Sequence, residues 1–329
     1  MGVGRGFINT KPMAINQDLK ALVIDKERVD AYFFLYWYIH SGSLLAAKGG
    51  GSTVQGITLD DLRTFPILLP TKNEQTKIAE IISSIDSTIE NNESLVNKLT
   101  GLKNALMQEL FTKGIGHTEF KDSPLGKIPK DWKTLKLNDV LLEVYDCEHK
   151  TAPTDENGLF RIAGTSDVRN GELIYATMRR TSEAIYKEWT SRNEPKIGDI
   201  IFTREAPAGE AALIPEHTRV CLGQRTVLLR PNPEVILPSF LLYSFYSPVL
   251  RRKMELDFIG TTVSRINMAD IKQLHCLVPP IDEQQKISDS VSIVGKRIID
   301  QKDKGAVFEV LKKALMQDLL TGKVRVKTA

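Results

Sequence analysis

The sequence predicts an α+β protein: globular, mixed α/β parts joined by two long helices that form an antiparallel coiled coil. Three observations support this reading. First, one stretch occurs twice. Gly51-Ser52-Thr53-Val54, Pro70, Glu74-Gln75, Lys77-Ile78 and Ala105-Leu106-Met107-Gln108 return as Gly260-Thr261-Thr262-Val263, Pro279, Glu283-Gln284, Lys286-Ile287 and Ala314-Leu315-Met316-Gln317, at a constant offset of 209 residues. So long a period marks a duplicated domain and not a solenoid repeat. Second, the latter part of each copy follows an apolar heptad. Third, the region between the copies reads as many short strands and turns.

The heptad is the strongest local signal. Ile78, Ile82, Ile85, Ile89, Val96, Leu99, Leu106 and Leu110 fall on alternating steps of three and four, with Asn92 and Lys103 filling the gaps. The second copy gives Ile287, Val291, Val294, Ile298, Phe308, Leu315 and Leu319, with Gln301, Gly305 and Lys312 in the gaps. Apolar residues at this spacing form a coiled-coil seam, and polar residues on a seam fix register at a cost in stability. Each helix would be about 40 residues, or roughly 60 Å. Two equal helices of that length pair better with each other than each with its own domain. The residues expected at the pairing face are Ile78, Ile85, Ile89, Leu99, Leu106, Leu110, Ile287, Val294, Ile298, Phe308, Leu315 and Leu319.

Along the chain, residues 1–70 read as a mixed segment. Leu19 to Val23 has the alternation of a strand, and Phe65 to Leu69 forms a short strand closed by Pro70. Val29 to His40 is aromatic and apolar on nearly every side, as in a buried helix. Thr58-Leu59-Asp60-Asp61-Leu62 looks like a capped turn. The first long helix takes 71–114 and stops at Gly114-Ile115-Gly116. A Pro/Gly-rich linker covers 115–131. A complete globular domain occupies 132–280, the second long helix 281–321, and a tail 322–329. Gln224 to Leu229 and Phe240 to Tyr243 repeat Gln17 to Leu22 and Phe33 to Tyr36, at an offset two residues shorter than that of the other block. By that match the first domain corresponds only to the C-terminal part of the second and lacks roughly its first 80 residues. The expected consequence is aggregation, self-association, or completion by a separate N-terminal fragment, because a half-domain buries too little apolar surface to offset its ordering entropy.

Composition excludes several classes. The chain has 329 residues, 42% of them apolar and 26% charged, which suits a globular protein with a sizeable core. No run reaches the roughly 18 apolar residues of a membrane span, and Met1 to Gly6 has no signal-peptide core. Cys147, Cys221 and Cys276 are odd in number and scattered, as in reduced cytoplasmic thiols. A net charge of +3 neither demands nor excludes nucleic acid.

No catalytic constellation, metal site or cofactor loop stands out. There is no phosphate loop, no H-E-x-x-H and no G-x-S-x-G. Gly2-Val3-Gly4-Arg5-Gly6 follows no strand and lacks the spacing of a nucleotide fingerprint. His149, in the polar turn Asp146 to Thr151, has a nearby Cys but lacks two further metal ligands. The arginines are more informative. Between Asp131 and Pro280 the basic residues are mostly Arg, and Arg offers a planar fork that fits guanine edges and phosphates. The candidate DNA-facing residues are His149, Lys150, Thr151, Arg179, Arg180, Arg204, Arg225 and Arg265. The bland alternative is that these are surface and ion-pairing side chains.

Taken in order, several motifs resemble one family. They are Leu125-Gly126-Lys127-Ile128-Pro129-Lys130-Asp131-Trp132, the Asp146 to Thr151 turn, Gly198-Asp199-Ile200-Ile201-Phe202-Thr203-Arg204, Gly223-Gln224-Arg225 and the duplicated block. The family is the DNA-specificity subunit of type I restriction–modification systems, and the resemblance spans nearly the whole chain. It implies two target-recognition domains, each reading half of a bipartite site in double-stranded DNA, and a coiled coil that spaces them. It also implies docking of methyltransferase subunits, two of them, and of restriction/translocase subunits. The chain itself would be non-catalytic and cytoplasmic. S-adenosylmethionine, ATP and Mg would be bound by the partners. The departure from the pattern is the partial first domain. A rival of another class is an assembly protein with protein-binding helices and no DNA specificity, which salt-dependent binding to duplex DNA would separate from the first reading.

Overall fold

The computed structural model describes residues 5–16, 19–48, 58–148, 150–257 and 264–327. The chain begins with the helices α1 (Ala31–His40), α2 (Gly42–Lys48), α3 (Leu59–Thr64) and α4 (Lys72–Leu110). Strands β1 (Phe120–Ser123), β2 (Gly126–Pro129), β3 (Lys133–Lys136), β4 (Leu141–Asp146), β5 (Phe160–Ala163), β6 (Val168–Arg169), β7 (Glu172–Leu173) and β8 (Arg179–Thr181) follow. Helix α5 (Glu183–Trp189) precedes β9 (Ile200–Thr203), β10 (Ala211–Leu213), β11 (Val220–Leu222) and β12 (Thr226–Pro231). The chain closes with α6 (Pro238–Tyr246), α7 (Pro248–Asp257), α8 (Met268–Gln273), β13 (His275–Val278) and α9 (Ile281–Leu320). It divides into two compact units that do not follow chain order: unit 1 is Met1–Leu99 with Arg297–Ala329, and unit 2 is Thr100–Lys296.

In unit 1, α1 lies against the start of α4 and the end of α9. Asp30 caps α1 by accepting from the Tyr32 and Phe33 amides. Phe33, Tyr36 and Trp37 pack with Ile78, Ile82, Met316 and Leu319. The helix is thus amphipathic and not buried all round as its composition predicts, with Tyr32 and Ile39 reaching solvent. Tyr36 donates its hydroxyl proton to Asp86, and burial is the main reason its pKa is pushed up to about 12. Asp86 also pairs with Lys312 at 2.6 Å. Asn92 Nδ2 donates to the Gln301 carbonyl, and a Cβ built on Gly305 would lie 2.8 Å from the same amide nitrogen. Partner numbers fall on α9 as they rise on α4, so the pairing is antiparallel. The seam positions Ile78 and Ile89 on α4 and Ile298 and Leu319 on α9 are buried; Ile85, Leu99, Phe308 and Leu315 are half-buried. Thr58 and Asp61 form the expected capping box at α3.

Leu19–Val23 and Phe65–Leu69 are not strands, contrary to their alternation. Their counterparts in unit 2 explain why. β12 is hydrogen-bonded to β9 on one side and β4 on the other, and β13 to β3. None of these three neighbours has a hydrogen-bonded counterpart among the described residues of unit 1. A strand without a ladder partner has no stable pairing for its backbone.

Unit 2 is built on the sheet β10-β9-β12-β4. Its residues alternate between two faces, as strand geometry requires. Ile200, Phe202, Val227 and Leu229 join a core with Phe240 and Phe245 of α6, Trp132, Ile287 and Val291. Ile201 and Leu228 point the other way, to Ala163, Val168 and Val220. That second face neighbours a smaller sheet, β11-β5-β8. Phe111, just beyond α4, stacks on Phe240 at 5.0 Å between ring centroids. In this unit's share of the seam Ile287 and Val294 are buried, and Leu106 and Leu110 are half-buried.

The repeated Glu-Gln pair has the same task in each unit. Gln75 accepts from the Asp30 amide and donates to the Arg28 and Pro70 carbonyls. Gln284 accepts from the Leu237 amide and donates to the Val235 and Pro279 carbonyls. Glu74 holds the chain that leaves α9, through Arg325 and the Val326 amide. Glu283 holds the chain that leaves α4, through the Ile115 amide, His117 and the Trp132 indole.

Candidate nucleic-acid interface

Four segments of unit 2 meet where β4 and β9 end and β12 begins. Thr203, the last residue of β9, donates its hydroxyl to the Pro207 carbonyl and accepts from the Glu210 amide, which folds 204–209 into a tight loop. The Arg204 backbone extends the ladder past the strand ends, its amide donating to the Arg225 carbonyl and its carbonyl accepting from the Ile266 amide. Glu205 and Arg265 form a single antiparallel bridge beside it. These contacts bring Cys147, 204–205, 224–225 and 265–267 around a pocket of about 400 Å³.

The pocket wall is polar. Arg204, Glu205, Gln224, Arg225, Arg265 and Asn267 line it, with the Cys147 thiol among them. Arg204 is held on two sides: Nη1 lies 2.6 Å from Asp146 Oδ2, and Nε donates to the Ile266 carbonyl. Its side chain is 23% exposed. Arg225 sits in the left-handed region at φ 66° and reaches Glu205 at 3.4 Å. Such a backbone is costly for a side chain with a Cβ and persists where surrounding contacts over-determine it. Arg265 is exposed and makes no ion pair among the described residues. Burial pushes the Cys147 thiol up, so it faces the pocket as a neutral group. Three arginines against two carboxylates leave the rim positive, with two side-chain amides beside it.

Of the candidates read from sequence, Arg204, Arg225 and Arg265 come together here. Lys150 instead lies 5.8 Å from the Trp189 ring centroid, and Thr151 is exposed beside it. Arg179 and Arg180 are exposed on β8, in the smaller sheet, and do not line the pocket. His149 lies outside the described residues, as do Gly51–Ile57 and Gly260–Val263 at the opening of each repeat. Asp146 was legible only as part of a turn, Gln224 only as part of a motif, and Asn267 was missed. Its signal was the repeat itself: Asn267 stands where the first copy has the capping Thr58.

The chain is similar to known proteins over nearly its full length. It matches the type I restriction modification DNA specificity domain over residues 1–100 and 129–305. The MjaVIII type I restriction enzyme specificity subunit of Methanocaldococcus jannaschii is 27% identical over 330 residues, which is 98% of this chain and 77% of that one. The EcoBI type I specificity subunit of Escherichia coli is 23% identical, over 84% of this chain and 61% of its own. Among solved structures, the S subunit of a type I restriction–modification system from M. genitalium superposes with a TM-score of 0.57 at 17% identity, covering 93% of this chain and 75% of that one; at that identity the likeness is one of fold. The chain therefore belongs to the type I restriction modification DNA specificity domain family. It is a specificity subunit, the component of such a system that recognises the DNA sequence.

Proposed function

We propose that unit 2 reads one part of a bipartite site in double-stranded DNA through the rim of this pocket, and that the paired helices hold methyltransferase subunits, two of them, to which restriction subunits attach. The chain performs no chemistry itself; S-adenosylmethionine, ATP and Mg serve the partners. A methyltransferase held on the site would act on a base taken out of the stack. The observation that carries the reading is the convergence of Arg204, Arg225 and Arg265 with Gln224 and Asn267 at the end of a sheet. Arg suits guanine edges and phosphates, and side-chain amides suit adenine. Lys150, Thr151, Arg179 and Arg180 are exposed; the three cations and the Thr151 hydroxyl suit phosphate contacts that set orientation without reading sequence.

The test uses the full chain purified with its modification subunit. Affinity for duplex DNA should fall with salt, with a log–log slope near −0.9 for each phosphate contacted. Methylation mapped across a genome should fall on one sequence. Binding that ignores salt, or methylation without a common sequence, overturns the reading.

A further inference from the structure

The repeat offers an internal control for one residue of the pocket. Thr58 and Asn267 both occupy the N-cap position of a six-residue helix, α3 and α8, with the same extended backbone. Thr58 does what that position favours: its hydroxyl accepts from the Asp61 amide, and Asp61 answers by accepting from the Thr58 amide. Asn is among the best N-cap residues. Yet the Asn267 side chain makes no capping hydrogen bond and lines the pocket instead. The acid that could complete a capping box is present at Asp270, so the sequence around α8 would permit capping. Among the described residues, a residue well suited to a local bond thus leaves that bond unmade, and its amide is available for something else.

Its neighbours in the pocket are differently committed. Arg204 is fixed by Asp146 and the Ile266 carbonyl, and Arg225 by Glu205. Arg204 is thus the arginine most committed within the protein, while Arg225 stays more than half exposed. Asn267 offers a donor and an acceptor side by side, the pattern that pairs with N6 and N7 of adenine in the major groove. We propose that Asn267 reads an adenine edge in the DNA site, and that Arg204 is a positioning residue that holds 265–267 at the pocket through the Ile266 carbonyl. This deepens the proposed function and rests on it.

Two substitutions test the assignment in the full chain with its modification subunit. Asn267→Thr restores the cap found at Thr58 and should fold at least as well as the parent. Asn267→Ala removes the amide without adding a cap. Both should lose about five- to a hundredfold in affinity for the parent site and relax preference at one position of the methylated sequence, while affinity for unrelated duplex DNA stays the same. A purely structural role predicts the opposite for Asn267→Thr, namely unchanged sequence preference, and that result overturns the proposal. Equal loss on every sequence overturns it as well, since that marks a phosphate contact. If the parent complex itself shows no sequence preference, the proposed function falls, and this assignment with it. If the parent is specific and both variants match it, only the assignment falls.

Discussion

Glu74 shows how much a single buried carboxylate does in this fold. It accepts from Arg325 at 2.7 and 2.8 Å and from the Val326 amide at 3.1 Å. The Arg325 hydrogen bond, helped by the Val326 amide, holds its carboxyl below the usual range against the opposing effect of burial. A depressed folded-state value means the contribution is complete above the unfolded value, near 4.3, and is lost as pH falls through the folded one. Glu74→Gln should therefore lower the melting temperature at neutral pH, and the gap from the parent should close below about pH 4. A gap that stays constant down to pH 3 would remove the carboxylate's charge from the explanation. Glu283 is the counterpart in unit 2, with three donors and no arginine. Glu283→Ala would strand the buried Trp132 indole and the Ile115 amide, at a cost of about 2–4 kcal/mol in denaturant unfolding.

At the level of elements, the helices were legible because their signal is local. A seam repeated every three and four residues needs only the chain's own spacing; the starts of α4 and α9 follow from Pro70 and Pro280, whereas α4 ends at Leu110 and not at the expected 114, the chain passing into turns before Gly114. Ile287 is fully buried in that seam against unit 2's core. Ile287→Ala should cost about 2–4 kcal/mol, and a loss below 0.5 kcal/mol in urea unfolding would show that the site collapses around the gap. Strands were less legible because their signal is shared between segments. Leu68 and Leu277 occupy the same place in the repeat, yet Leu68 is 64% exposed and Leu277 is 4% exposed. Only Leu277 has β3 beside it. Of the pocket, the arginines could be read from the sequence as types. Their convergence could not, because it depends on a positive-φ turn at Arg225 and a bridge between Glu205 and Arg265.

For the molecule as a whole, the duplication is tied crosswise. Each copy begins its helix with a Glu that grips the chain leaving the other copy's helix. Unit 1 accordingly contains both ends of the described chain, and its core needs Met316, Leu319 and Leu320. Removing 297–329 should leave unit 2 protected in hydrogen exchange while α1 and the first part of α4 exchange freely. Protection of α1 in that variant would contradict the crosswise packing. The same tie sets a timetable. During synthesis the aromatic helix Ala31–His40 emerges before unit 2, but the residues that cover Phe33 and Trp37 are made after it. Unit 2, continuous in sequence, can close while the ribosome is still extending α9. Unit 1 is thus begun before unit 2 and finished after it, and until then its apolar face is in the care of whatever else the cell provides.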